Sequence, residues 1–250
     1  MKNYFEKIEI PETINFNKIF MAGKRLIFFG IFLLVFLFFS NCNLKKAEYW
    51  NIDNLSEIGG HNVTVFGNPE LVDTELGKAV KFDGDGDMLL VDFNPLGNTS
   101  EFTVEVVFKP EACYPENSTP RFLHFQDPDD PDAKRLMVEL RLNEKNQCYL
   151  DGFLKTDTGR LALIDERQVH PTEVWLHAAV TYKNNILTTY INGEKQLSGQ
   201  IGYKDAFINP MGKVAIGGRM NKVDWFQGLI KTLKVTNVAL KPDDFIFINK

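Results

Sequence analysis

The chain has 250 residues, with 28 Lys and Arg against 33 Asp and Glu, 4 His, 3 Cys and 44% hydrophobic residues. This is ordinary globular composition, which excludes a collagen, a coiled coil and a fully disordered chain, and the length allows one large β domain or two small ones. A formal net charge of −5 argues against broad phosphate-backbone binding, which needs clustered Lys and Arg.

The first deviation from the mean is at the N-terminus, where nine of the 21 Phe fall within the first 41 residues. Leu26 to Phe39 reads LIFFGIFLLVFLFF, uncharged and preceded by Lys24-Arg25. A membrane-spanning helix needs about 20 apolar residues, so this run is too short to span and fits the apolar core of a signal peptide. Ser40-Asn41-Cys42 follows, and an apolar run that ends in small or polar residues and then Cys resembles a bacterial lipoprotein signal. That resemblance implies lipid on Cys42 and an envelope protein held in a membrane, facing the periplasm or the cell surface. Asn41 departs from the small residue usual there, and a plain secretory signal or a short anchor with a free Cys42 is the alternative. Met21-Ala22-Gly23-Lys24-Arg25 makes a normal signal start, so residues 1–20 are expected to be a mis-assigned extension and residues 21–41 the signal. Stable anchoring by lipid needs more than one acyl chain.

Residues 42–55 read as a polar tether, and the folded domain is expected over 48–248. Glu101 to Pro110 is the clearest strand: Phe102, Val104, Val106 and Phe108 share one face, while Thr103, Glu105 and Lys109 share the other. Pro110 ends it, because proline cannot donate to a ladder. Leu136 to Leu142 alternates less cleanly, and Tyr149 to Leu154 is apolar around Gly152. Trp175–Tyr182 and Ile186–Ile191 are strands with Asn184-Asn185 between them and Asn192-Gly193 after them. Both pairs suit turns that need positive φ, which predicts a three-strand meander over 175–197. Val214–Gly217 and Leu229–Val235 complete the set. A single helical turn is expected after Lys241, with Pro242 early and Asp243 and Asp244 at its positive end. Many short strands with almost no helix mean a sandwich or barrel.

Cys113 and Cys148 remain once Cys42 is set aside. In an oxidising compartment they admit two readings, a disulfide or two buried free thiols. Neither has the CxxC spacing of a zinc or redox site.

Seven blocks in order then carry a resemblance: Gly77–Gly84, Glu101–Pro110, Trp175–Tyr182, Tyr190–Gly193, Ala215–Gly218, Phe226–Ile230 and Val238–Leu240. Together they resemble the LamG-like jelly-roll domains of the concanavalin A-like lectin/glucanase superfamily. The resemblance implies an all-β, two-sheet antiparallel jelly-roll sandwich. In that fold Trp175 is expected to bury its ring between the sheets, and Gly228 to mark a close backbone approach or a bulge.

Glucanases of the superfamily carry Glu-x-Asp-x-Glu on one strand, as a retaining mechanism needs two carboxyls about 5–5.5 Å apart. The nearest candidate is Glu139-Leu140-Arg141-Leu142-Asn143-Glu144, with Arg141 where the middle acid belongs and Asn143 where the third does. Glu101 and Glu105 lie about 13 Å apart along a strand, too far for that chemistry. No Gly-x-Ser-x-Gly, His-Glu-x-x-His or P-loop occurs, and the four His are scattered. No catalytic residue is therefore assigned, and a glycan-active hydrolase with a non-standard acid pair is the rival reading.

Two acidic clusters could take Ca2+, a common ligand in the superfamily. Asp83-Gly84-Asp85-Gly86-Asp87 opens like a calcium loop, but Met88 and Asn94 stand where an EF-hand needs Gly and Glu, so a solvated turn fits better. Asp127, Asp129, Asp130 and Asp132 form a Pro-rich acidic loop, either a metal rim or a rigid turn. Lys231 replaces an acid that relatives often carry after Gly-x-Ile. Carbohydrate would be held by aromatics that stack on sugar rings beside polar groups: Trp225 first, then Arg219, Tyr203 and Tyr114. The reading is a non-catalytic, lipid-anchored binding module for carbohydrate or for a glycan-bearing, matrix or envelope protein, with no nucleic acid partner. A structural envelope protein is a further alternative.

Overall fold

The computed structural model describes residues 46–130, 132, 134–202 and 212–246. The apolar run at 26–39, Cys42 and Tyr203 lie outside these residues. Among the described residues seventeen strands follow in chain order. They begin with β1 (Ala47–Asn51), β2 (Glu57–Ile58), β3 (His61–Phe66), β4 (Glu70–Thr74), β5 (Gly77–Asp83) and β6 (Met88–Val91). Next are β7 (Phe102–Pro110), β8 (Arg121–Gln126), β9 (Arg135–Leu142), β10 (Gln147–Lys155), β11 (Arg160–Ile164) and β12 (His170–Pro171). The last are β13 (Leu176–Lys183), β14 (Ile186–Ile191), β15 (Glu194–Gln200), β16 (Lys213–Ile216) and β17 (Gln227–Thr236). A 3-10 turn at Pro242–Asp244 follows, where the sequence predicts one.

Two antiparallel sheets face each other. The first runs β15-β14-β13-β7-β17-β5-β4, with β1 also on β17. The second runs β11-β10-β9-β8-β16-β6-β3-β2, with β12 on β10. β17 is long enough to serve two partners on one edge. Gln227–Ile230 pairs with β5, Thr232–Thr236 pairs with β1, and the register slips at Lys231 between them. Gly228 sits at φ +138, where an added Cβ would strike the Lys109 carbonyl, so the close approach expected there is real. Asn184 and Asn185 turn at φ +51 and +64, and Asn192-Gly193 at +50 and +81, which closes the predicted meander of β13, β14 and β15. Ala47 onward, read as tether, is strand instead, because β17 offers it an open edge.

Alternation explains the core. Phe102, Val104, Val106 and Phe108 of β7 and Leu176, Ala178, Val180 and Tyr182 of β13 are all buried against Leu123, Phe125, Leu136, Val138 and Leu140 of the second sheet. Each buried Val, Leu or Phe among them contributes about 1.5–3 kcal/mol. Phe108 and Phe122 stack with centroids 4.6 Å apart, and Phe226 stands 5.5 Å from Phe122. The two layers close where Gly152 of β10 faces β14: a Cβ there would lie 2.6 Å from Thr189 Cγ2.

Parity also corrects one expectation. Leu176 and its even-numbered neighbours face inward, so Trp175 falls on the opposite face. It is half-buried there and donates from Nε1 to Glu75 Oε1 at 2.7 Å. Trp50 of β1 is the fully buried tryptophan.

The outer face of the first sheet is covered as well. Val238, Leu240 and Phe245 pack on Ala179 and Tyr190. Thr103 Oγ1 donates to the Val238 carbonyl, and the Leu240 N–H donates to Thr103 Oγ1, both at 2.8 Å. Beneath this strap, the fully buried Glu105 meets Lys234 Nζ at 2.8 Å, His177 Nε2 at 3.3 Å and the Ile246 N–H at 2.6 Å. Burial works to raise the Glu105 pKa, but these donors outweigh it and hold the carboxyl below its ordinary value.

Cys113 and Cys148 are both buried free thiols, which settles against the disulfide alternative. Cys113 Sγ donates to the Asn117 carbonyl at 3.3 Å, and Cys148 Sγ faces the Pro171 carbonyl at 3.8 Å. Burial pushes their pKa values up to about 11 and about 12. The thiolate is the reactive form. Iodoacetamide at pH 8 is therefore expected to leave both unlabelled in the native protein and to label both in urea, as read by peptide mass spectrometry. Native labelling within minutes would contradict this burial.

An arginine-lined pocket on the second sheet

The outward residues of the second sheet are polar where they meet one loop. On β9, Leu136, Val138 and Leu140 enter the core, so Arg135, Met137, Glu139 and Arg141 face out. His124 and Gln126 of β8 share that face, opposite Met137 and beside Arg135. On β10 the outward set is Tyr149, Asp151 and Phe153, and Arg135 lies 5.4 Å over the Phe153 ring.

The loop from Gly217 to Phe226 folds back along β8 and roofs this face. The Phe226 N–H donates to the Gly217 carbonyl at 2.9 Å and closes the base of the loop. The Arg121 N–H donates to the Asp224 carbonyl at 2.9 Å, and the two side chains form an ion pair. The Met220 N–H donates to His124 Nδ1 at 3.1 Å. Gly218 makes room for Trp225, whose ring would stand 2.7 Å from an added Cβ.

Under the roof, Arg121 Nε meets Glu139 Oε1 at 2.6 Å. Arg141 NH2 meets Asp151 Oδ2 at 2.5 Å and Glu139 Oε2 at 3.5 Å. Glu139 and Asp151 are directly opposed across β9 and β10, yet they are only 2% and 3% exposed. Burial raises the Glu139 pKa, and Arg121 works against that. This is where the sequence places Arg141 in the position of a glucanase acid. The arginine bridges both carboxylates.

Beside this lattice is a pocket of about 160 Å3 with His124, Gln126, Arg135, Arg219 and Asn221 on its lining and Asp127-Pro128 as one wall. His124 is 2% exposed, and burial, with the charges of Arg219 and Arg135, pushes its pKa down to about 3. Its Nε2 reaches no hydrogen-bond partner, although Gln126 lies close enough to offset the shift in part. Arg219 is half-buried and pairs with no carboxylate among the described residues. Burial lowers its pKa, as do the charges of Arg121 and Arg135.

Of the residues singled out in the sequence, Arg219 and Asp127 line this pocket. Trp225 lies outside it, half-buried on Gly218. Tyr114 is exposed at the other end of the sheet, where its N–H donates to Asn146 Oδ1. The aspartates of the acidic loop serve the backbone: Asp129 N–H donates to Asp127 Oδ1 and Asp132 N–H to Asp130 Oδ1, each at 3.0 Å. Asp132 also pairs with Lys155. Asp87 likewise staples its turn, accepting from the N–H groups of Asn68 and Asp83. Among the described residues no three His, Cys, Asp or Glu converge as a metal site would require. The calcium expectation for Asp127, Asp129, Asp130 and Asp132 thus finds no cage in this geometry. His124, Gln126 and Arg135 were not foreseen. Nothing in their spacing marks them, since only the strand pairing and the folded-back loop bring them together.

A groove of about 320 Å3 on the first sheet is larger, lined by Lys81, Lys109, Glu111, Glu75 and Glu173. Its groups largely satisfy one another. Lys81 faces Glu111 at 3.7 Å, Glu75 accepts from Trp175, and Glu173 accepts from the Ala112 N–H.

A laminin G family model, described as the concanavalin A-like lectin/glucanases superfamily, matches residues 82–244. The chain belongs to this superfamily. No curated protein matches it in sequence. Its superfamily fold is similar to domain 4 of AbnA, a GH43 extracellular arabinanase from Geobacillus stearothermophilus, solved with arabinotriose. The TM-score is 0.60 at 20% identity, over 80% of this chain and 96% of that one. It is also similar to the botulinum neurotoxin serotype D ligand binding domain solved with N-acetylneuraminic acid, with TM-score 0.58, 16% identity and 78% and 48% coverage. The binding domain of Paraclostridial Mosquitocidal Protein 1 gives 0.56, 16%, 79% and 50%. The chain spans about half the length of these toxin domains. At identities this low, the TM-scores show a shared fold alone.

Proposed function

We propose that this chain is a non-catalytic binding module that holds a saccharide in the Arg219 pocket of its second sheet. One observation carries the reading: a buried His124 nitrogen without a hydrogen-bond partner and the Arg219 guanidinium, which makes no ion pair among the described residues, face the same small cavity. A buried donor without an acceptor costs about 1–3 kcal/mol, which an entering hydroxyl or carboxylate would relieve. The arabinotriose and N-acetylneuraminic acid in two structures of similar fold support a saccharide as the class. Fold alone cannot supply the ligand, so the argument rests on the site. A glycan array probed with the full chain is expected to give a small set of bound saccharides. Arg219→Ala is expected to lose them, and uniform silence of the array would remove the proposal.

The opposed Glu139 and Asp151 favour one second reading, a glycan hydrolase, since cross-strand carboxyls have the right order of spacing. Release of reducing ends from β-glucans that disappears in Glu139→Gln would establish it. Their enclosure by Arg121 and Arg141 argues for binding instead.

We also propose a lipid-anchored place in the bacterial envelope, a reading supported by the apolar run at 26–39 followed by Cys42 as the residue to be lipidated. Palmitate labelling is expected for the parent chain and not for Cys42→Ser. Equal labelling of both would discard the anchor.

A further inference from the structure

Resting on the pocket reading above, the geometry points to a more specific ligand: we propose that the pocket is an anion subsite that takes the carboxylate of an acidic sugar, a uronate or a sialate. The argument begins with a tautomer. The Met220 N–H donates to His124 Nδ1, so that nitrogen must carry the lone pair, and the neutral ring keeps its proton on Nε2. Nε2–H is thus a fixed donor, and apart from the nearby Gln126 side chain it meets no acceptor in good hydrogen-bond geometry. It calls for an acceptor. With a pKa near 3 the ring stays neutral in any physiological medium, so this donor brings no charge of its own.

Charge comes from the arginines. Arg121 is matched by Glu139 and Asp224, and Arg141 by Asp151. Among the described residues Arg219 makes no ion pair; burial, and then the guanidiniums of Arg121 and Arg135, lower its pKa against the opposing charge of Glu139. Asp127 on the wall does not supply a countercharge freely, because its Oδ1 accepts from Asp129. One unmatched guanidinium next to a neutral N–H suits a planar monoanion, since Arg recognises carboxylates through two parallel donors. A phosphate dianion would ask for a second free cation. The amide of Asn221 on the lining suits a sugar hydroxyl, whereas Gln126 Nε2 already donates to the Asp130 carbonyl at 2.9 Å. At about 160 Å3 the cavity is below the about 300–1,000 Å3 of a drug-sized site, so it admits one sugar unit with its acidic group and leaves the rest of a chain outside.

The test uses the full chain in detergent, with calorimetry against glucuronate, galacturonate and N-acetylneuraminate, the neutral hexoses glucose and galactose, and inorganic phosphate and sulfate. At least one acidic sugar is expected to bind about ten-fold or more tightly than the neutral hexoses, and Arg219→Ala to abolish that difference. Arg219 is half-exposed, so the variant should fold, and thermal melting checks this. The His124 Nε2 resonance is expected to shift when the acidic sugar is added, a readout that needs no substitution. Equal affinity for acidic and neutral sugars, with no effect of Arg219→Ala, overturns the anion subsite and leaves saccharide binding intact. Phosphate or sulfate bound at Arg219 without any acidic sugar overturns it too. If no saccharide binds, here or on the array, both readings fall.

Discussion

Lys234→Met is expected to lower the unfolding free energy by about 3–5 kcal/mol, measured by urea denaturation at pH 7. The reason lies at the centre of the first sheet. Glu105 is fully buried, and Lys234, directly opposite on β17, faces it at 2.8 Å. Removing the cation leaves a buried carboxylate with only His177 and the Ile246 N–H. The pH dependence has a definite sign. The folded pKa of Glu105 lies below its unfolded value of about 4.3. The unfolded chain therefore takes up the proton first as pH falls, so the stabilisation is complete above about pH 4.3 and disappears as pH drops through the lower folded value. In Lys234→Met that folded value rises, and the gap between variant and parent should be widest near neutrality and close in acid. Adding Glu105→Gln to Lys234→Met should recover part of the loss. A change under about 1 kcal/mol at pH 7 would show that the strap over this face admits water.

Phe226→Ala is the second large effect, again about 3–5 kcal/mol. Phe226 is fully buried with ring centroids 5.5 Å from Phe122, 6.3 Å from Phe82 and 6.4 Å from Phe108. The ring also pins the return of the loop that carries Arg219, through the Phe226 N–H to Gly217 bond. Stability and ligand binding should thus fall together. Val223→Ala, at an exposed position of the same loop, should change stability by no more than about 0.5 kcal/mol. If Phe226→Ala kept full affinity at a temperature where it remains folded, the loop would owe its shape to Arg121 and Asp224 alone.

Much of the fold was legible because its signals are local. The period of two in β7 places Phe102 through Phe108 inward, and Asn-rich turns mark the meander. What failed was long-range. Thr103 and Glu105 read as the polar face of a half-buried strand, yet the strap from Val238 to Ile246 covers them from more than a hundred residues away. Trp175 was assigned to the core by size, but parity set by Leu176 turns it outward, and Trp50 takes the interior from a segment that looked polar. The site was legible only in Arg219 and Asp127. His124 and Arg135 belong to different strands and acquire their common cavity through register and a returning loop, neither of which a linear pattern encodes.

The pairing of β1 with β17 has a consequence for reach. It fixes the chain at Ala47, so if Cys42 carries the proposed lipid, only four residues separate that lipid from the first strand. Fully stretched, that interval covers about 18 Å. A leash so short would keep the sandwich nearly against the bilayer, and its targets would be molecules lying on that same surface rather than ones far out in the medium.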